Sequence, residues 1–260
     1  MRAILGALLS IIYVFLVGLF TGGLKGIHSH AGSIDTVISR TFGIDVVLSG
    51  KPPPATGRTL VISNHPSFLD GFIISQWAAR HGCLSRIRFI TAEWVKQKLP
   101  LPFGLGAHHL ISIKRSWEAD KATLEAAVAA LPADAILFFL PEGTTFCPES
   151  LEKSVDFARK NGYPVFRHLL CPRIRGLEFV LGLTKWNTII DMTLDCPERA
   201  ANPFAGSDFE YLLRGNYART YNVTWKVVDQ PSSANCSRWL MRLWQEKDSY
   251  LERRLLGDSS

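Results

Sequence analysis

A histidine and an aspartate stand five residues apart in the segment Ser63-Asn64-His65-Pro66-Ser67-Phe68-Leu69-Asp70. An imidazole takes and returns a proton near neutral pH, and a carboxylate on its second nitrogen fixes the tautomer and offsets the charge that develops. The chain carries no G-x-S-x-G segment to supply a nucleophile. A His–Asp pair without a nucleophile suits activation of a hydroxyl that belongs to a substrate. The same two residues could also do no more than end a strand and cap a helix. A second group follows the apolar stretch Ile136–Leu140: Pro141-Glu142-Gly143-Thr144-Thr145. Its amides and hydroxyls suit a phosphate or a developing oxyanion, and it could equally be an ordinary turn.

Both groups need strands behind them. Thr59–Ser63 is β-branched and reads as a buried strand, and Phe68–Arg80 has helical spacing. Ile87–Thr91 and Leu110–Ile113 read as strands, Trp117–Leu131 as an alanine-rich helix, and Ala135–Leu140 as a fully apolar strand. Pro148–Lys160 has proline at its start, Glu149 and Glu152 in its first turn and Gly162 at its end, which predicts a helix over that range. Asn187–Leu194 and Val223–Val228 read as later strands. Trp239–Leu255 closes the pattern as an amphipathic helix, with Trp239, Leu243 and Tyr250 on one stripe and Glu246, Lys247 and Asp248 opposite. Strand–helix alternation predicts an α/β fold, and ligands in such sheets gather beyond the carboxyl ends of the strands. Both groups fall at such ends.

Ahead of this lies an uncharged run of 22 residues from Ala3 to Leu24. As a helix it would reach roughly 33 Å, a bilayer's hydrocarbon thickness. It is longer than a signal peptide's apolar core and lacks an A-x-A cleavage site, so it reads as a retained anchor ahead of a cleaved signal or a buried helix. Residues 26–57 read as an irregular or weakly helical connector ending in Lys51-Pro52-Pro53-Pro54. The chain's 29 Lys and Arg against 23 Asp and Glu leave a charge of +6. The basic residues are scattered, which argues against nucleic acid and for anionic lipid and phosphorylated ligands. The five cysteines form no C-x-x-C pair and read as reduced, partly buried thiols. His108-His109 has no third ligand at metal spacing, and Asn222-Val223-Thr224 is a sequon inside an expected strand.

Taken together, these segments resemble the glycerolipid acyltransferase superfamily, which includes the 1-acylglycerol-3-phosphate acyltransferases. Asn64-His65 with Asp70 resembles its N-H-x-x-x-x-D motif, and Phe139-Leu140-Pro141-Glu142-Gly143-Thr144 its F-P-E-G-T block with Leu140 inserted. Leu110–Trp117 resembles the F-I-x-x-R block, placing its arginine at Arg115. Leu170-Cys171-Pro172-Arg173-Ile174-Arg175-Gly176 is similar to the H-P-R-x-x-G segment of the lysocardiolipin acyltransferase-like branch, and Trp239-Leu240 with Glu246-Lys247-Asp248 to its W-L…E-K-D helix. One departure is Thr145, where bacterial and plastid relatives often carry arginine.

The resemblance implies a single acyltransferase domain over 58–260, with a mixed, largely parallel sheet flanked by helices and preceded by a membrane helix in residues 1–25. It implies transfer of a fatty acyl group from acyl-CoA to a lysophospholipid hydroxyl, most simply 1-acylglycerol-3-phosphate to phosphatidate. His65 would be the base and Asp70 its partner. Arg115 would bind the acceptor phosphate; Glu142, Gly143 and Thr144 would position the acceptor, with Arg173 a secondary contact. Backbone amides near Gly143 would meet the oxyanion. No cofactor or metal is implied; acyl-CoA is a co-substrate. The location implied is a membrane, the endoplasmic reticulum first and a mitochondrial membrane as the alternative. A CoA-independent transacylase, a lysocardiolipin or lysophosphatidylglycerol remodelling enzyme and a non-catalytic lipid-binding membrane protein are the competing expectations.

Overall fold

Strand β2 (Thr59–Ser63) is buried at all five positions, as a strand covered on both faces must be. The computed structural model of the protein describes residues 44–67, 69–93, 110–197 and 219–256. The expected membrane helix over Ala3–Leu24 and the pair His108-His109 lie outside them. Among the described residues no helix is long and apolar enough to cross a membrane.

In chain order the elements are β1 (Ile44–Ser49), β2, α1 (Asp70–Arg80), β3 (Ile87–Ala92), β4 (Leu110–Ile113), α2 (Trp117–Ala129), β5 (Ile136–Phe139), α3 (Pro148–Lys160), α4 (Ile174–Leu183), β6 (Thr188–Asp195), β7 (Arg219–Val228) and α5 (Cys236–Leu255). The described strands form one sheet in the order β1-β7-β6-β2-β5-β3-β4. From β6 to β4 every neighbouring pair is parallel. β7 runs antiparallel to β6 and parallel to β1.

Side chains alternate across this sheet with the strand period of two. Val61, Ile136 and Phe138 join the core under α1, with Phe72, Ile73 and Trp77. Leu60, Ile62, Leu137 and Phe139 face the other core, with Leu124 of α2, Ala158 of α3, Leu177 of α4 and Leu240 and Trp244 of α5. Among the described residues, one helix thus covers one face and four cover the other. All five cysteines are free, and burial pushes the thiols of Cys83, Cys171 and Cys236 up to about 11.

The structure departs from the sequence reading in three places. Ile44–Ser49, inside the expected connector, is a strand; Ile44 and Val46 point into the core while Asp45 and Val47 face out. That alternation is short, and only its pairing with β7 makes it a strand. The apolar helix α4 was not expected; with Gly176 and Gly182 in ten residues it is a weak helix former, held by packing in the second core. Lys247, expected on the polar stripe of α5, is buried, 2% exposed. Positions 239, 243 and 247 are four residues apart and share one face. The Glu246-Lys247-Asp248 run has three separate attachments. Glu246 pairs with Lys226 at 2.7 Å, Lys247 with Asp191, and Asp248 accepts the amide of His168 at 2.8 Å.

Candidate active site

The carboxyl ends of β6, β2, β5, β3 and β4 lie on one edge of the sheet. From β2 the chain crosses by α1 to β3 on one side, and from β5 by α3 and α4 to β6 on the other. Crevices form at the strand where such crossovers diverge. Asn64 prolongs the ladder beyond β2. Its Nδ2 donates to the Leu194 carbonyl and its Oδ1 accepts the Leu194 amide, both at 2.8 Å. The side-chain amide does what a strand backbone would, so the next residue, His65, leaves a fixed edge.

His65 Nδ1 lies 2.7 Å from Asp70 Oδ2; the side chains are 25% and 2% exposed. Asp70 occupies the first turn of α1 and also accepts the Ser67 amide at 3.3 Å. Partial positive charge at a helix N-terminus favours a carboxylate there. The N-cap itself is Leu69, without a side-chain cap bond, so Asp70 is not the cap of this helix. With Nδ1–H assigned as the donor to Asp70, the neutral ring keeps its lone pair on Nε2.

Glu142 comes from the next strand. Leu140-Pro141-Glu142-Gly143 closes a turn in which the Gly143 amide donates to the Leu140 carbonyl at 3.1 Å. Proline second and glycine fourth are the usual residues of such a turn, and Gly143 sits at φ 71°, a conformation that favours glycine. The Gly143 amide is therefore used within the turn, which leaves the neighbouring amides of this loop as the candidates for the oxyanion. Glu142 is buried; one oxygen accepts the His65 amide at 3.3 Å and the other the Trp244 indole N–H at 3.3 Å. The Phe146 amide donates to the His65 carbonyl at 3.0 Å, so the His65 backbone is held from both sides.

Burial pushes the Glu142 carboxyl from its ordinary 4.5 up to about 8; Asp70 adds to the rise, while the His65 amide, the Trp244 indole and Lys247 oppose it. Between those two pH values the unfolded chain has released a proton that the folded chain keeps. Glu142 therefore makes stability fall as pH rises across that window. In urea unfolding at pH 5 and pH 8, wild type is expected to lose on the order of 2–4 kcal/mol relative to Glu142→Gln. Parallel pH curves for the two proteins would refute that assignment.

Thr144 stands next in the same loop, partly exposed. The Arg173 amide donates to the Pro141 carbonyl at 2.7 Å, pinning the start of α4 to the Glu142 turn. Its exposed guanidinium stacks 3.7 Å over the Phe157 ring. Arg115 is exposed just past β4, at φ 62°, a left-handed conformation unusual for arginine. β4 lies three strands from β2, roughly 14 Å at ~4.8 Å per strand. The structure thus gathers His65, Asp70, Glu142, Gly143 and Thr144 beside the Arg173 backbone, and sets Arg115 farther along the same edge. Sequence reading missed Trp244 and Lys247 as neighbours of this site. Only the four-residue spacing of Lys247 from Leu243 signalled its burial, and nothing local signalled the Trp244 contact with Glu142.

Residues 45–166 match the family model described as Acyltransferase. The chain is similar to the probable 1-acyl-sn-glycerol-3-phosphate acyltransferase 5 of Arabidopsis thaliana, 31% identical over 219 residues, which cover 79% of this chain and 56% of that one. It is also similar to lysocardiolipin acyltransferase 1 of Mus musculus, 26% identical over 238 residues, covering 86% of this chain and 61% of that one. The chain thus spans little more than half the length of these curated relatives. In fold it is similar to the crystal structure of the 1-acyl-sn-glycerophosphate (LPA) acyltransferase PlsC from Thermotoga maritima. That likeness has a TM-score of 0.52 at 14% identity, covering 97% of this chain and 99% of that one.

Proposed function

Residues 45–166 are a domain of the acyltransferase family, and on that premise we propose that the protein transfers a fatty acyl group from acyl-CoA to the hydroxyl of a lysophospholipid. The observation that carries the reading is the His65–Asp70 pair at the diverging crossovers, with its backbone held by Glu142. In the proposed step the substrate O–H proton passes to His65 Nε2 while the oxygen attacks the thioester carbonyl. A tetrahedral oxyanion forms and collapses, the new ester bond remains, and the CoA sulfur leaves with the proton returned by the imidazolium. Asp70 holds the ring's tautomer and offsets its charge.

Arg115 takes the acceptor phosphate, for which a planar guanidinium fork is suited. In that acceptor only two carbons and one oxygen separate the hydroxyl oxygen from the phosphorus, so the long Arg115 side chain has to reach back along the edge toward His65 to hold the phosphate. Glu142, Gly143 and Thr144 position the acceptor, and Arg173 is a further contact. The membrane is the third partner in this reading: both substrates are amphiphiles, and the uncharged run Ala3–Leu24 is an anchor that keeps the site where they collect, at the endoplasmic reticulum in the first instance.

The test is one detergent system with acyl-CoA against lysophosphatidate, lysophosphatidylglycerol, lysocardiolipin and lysophosphatidylinositol. Lysophosphatidate is the expected acceptor, with one free CoA released per acyl group transferred. Acylation without CoA release would replace the donor, a bis-phosphate acceptor preferred over lysophosphatidate would replace the acceptor, and binding without turnover would end the enzymatic reading. In the same assay Arg115→Ala should raise the Michaelis constant for the phosphorylated acceptor by about 10–100-fold, the worth of a charge-assisted contact, with kcat little changed. An unchanged constant removes Arg115 from the phosphate site.

A further inference from the structure

Glu142 links the His65 loop to a helix that takes no part in the reaction as written above. Its second oxygen accepts from Trp244, a fully buried residue of α5. One turn further on, the Lys247 ammonium lies 5.4 Å from the Trp244 ring centroid. That ammonium pairs with Asp191 and donates to the Met192 carbonyl at 2.6 Å and to Thr193 Oγ1 at 3.2 Å. A continuous line of contacts therefore runs from β6 through Lys247, Trp244 and Glu142 to the backbone of His65.

We propose that Trp244, with Lys247 behind it, is a positioning residue for acyl transfer: it keeps Glu142 turned to the His65 amide and so fixes where the imidazole presents Nε2. The inference rests on the reading of His65 as the base. Two N–H donors converge on one carboxyl group. The anion accepts both, whereas the neutral acid has one good acceptor oxygen and an O–H that needs an acceptor of its own. Burial and Asp70 favour the acid; the His65 amide, the indole and Lys247 favour the anion. Cys171, a further titratable neighbour among the described residues, has a thiol raised to about 11 by burial and stays neutral. Loss of the indole N–H leaves Glu142 neutral to higher pH and releases the oxygen that the indole held, so over that range the carboxyl is no longer kept turned to the His65 amide.

The experiment is the pH dependence of kcat for full-length Trp244→Phe in detergent. At pH 7 kcat is expected to fall about 10-fold, the scale of a small misplacement of a reacting group, while both Michaelis constants stay within about twofold. The acid limb should move up by as much as ~1 pH unit, so that activity recovers toward wild type at high pH. No loss, or an equal loss at every pH, overturns the inference. Should that variant not fold, Lys247→Met with Asp191→Leu removes the cation without stranding a charge and should move the same limb in the same direction; an unmoved limb overturns it. A carboxylic-acid infrared band that is absent from Glu142→Gln reads the Glu142 proton without turnover, and it should persist to higher pH in Trp244→Phe. A wild type that transfers no acyl group defeats the functional reading, while the infrared band still decides whether Trp244 sets the charge of Glu142.

Discussion

His65→Ala, purified and folded, is expected to lose ~10²–10⁴ in kcat for acyl transfer, the usual worth of a general base. The size follows from placement. The ring is held by Asp70 at 2.7 Å, and its backbone by Glu142 on one side and Phe146 on the other. A group held so firmly contributes through orientation as well as basicity, and both disappear with the side chain. Asp70→Asn should show a loss of similar order by another route, since an asparagine NH₂ turned to Nδ1 forces the proton onto Nε2, the position the reaction needs free. Stability controls matter for that variant, because Asp70 also accepts the Ser67 amide in the first turn of α1. Acyl transfer at the wild-type rate by folded His65→Ala would end the proposed mechanism.

How far the sequence disclosed this arrangement depended on the range of the interactions involved. β2 and β5 were legible because a strand buried on both faces is apolar at nearly every position. α3 was found over its full length because proline at its first position and glycine past its end are local signals. The His65–Asp70 pair was legible for the same reason, five residues being a local separation. β1 was not, since a six-residue edge strand becomes one only through β7, far along the chain. The two hydrogen bonds that fix Glu142 come from residues 77 before and 102 after it, and no local pattern encodes them. The Gly143 turn is an intermediate case. Its residues announced a turn, but which amides near Gly143 the turn consumes is a matter of hydrogen bonding that the residue types do not fix.

Lys247→Ala is expected to be the most destabilising single change near the site, at about 3–5 kcal/mol. The ammonium is 2% exposed and is satisfied by Asp191, the Met192 carbonyl and Thr193. Burial lowers the pKa of the amine, and Asp191 opposes that shift. Taking the ammonium away strands the Asp191 carboxylate, itself 4% exposed, and a buried charge without a partner costs far more than the pair did. Against a total stability of ~5–15 kcal/mol, this should lower the melting temperature by about 10 °C or more. An unpaired buried carboxylate relieves part of its cost by taking up a proton. The folded variant then binds a proton that the unfolded chain does not, so the deficit should be larger at pH 8 than at pH 5. The Lys247→Met, Asp191→Leu double variant should regain most of the loss, because it removes both charges together. If Lys247→Ala melts within about 2 °C of wild type at both pH values, the pair does not fasten α5 to the sheet, and the line of contacts reaching Glu142 loses its anchor.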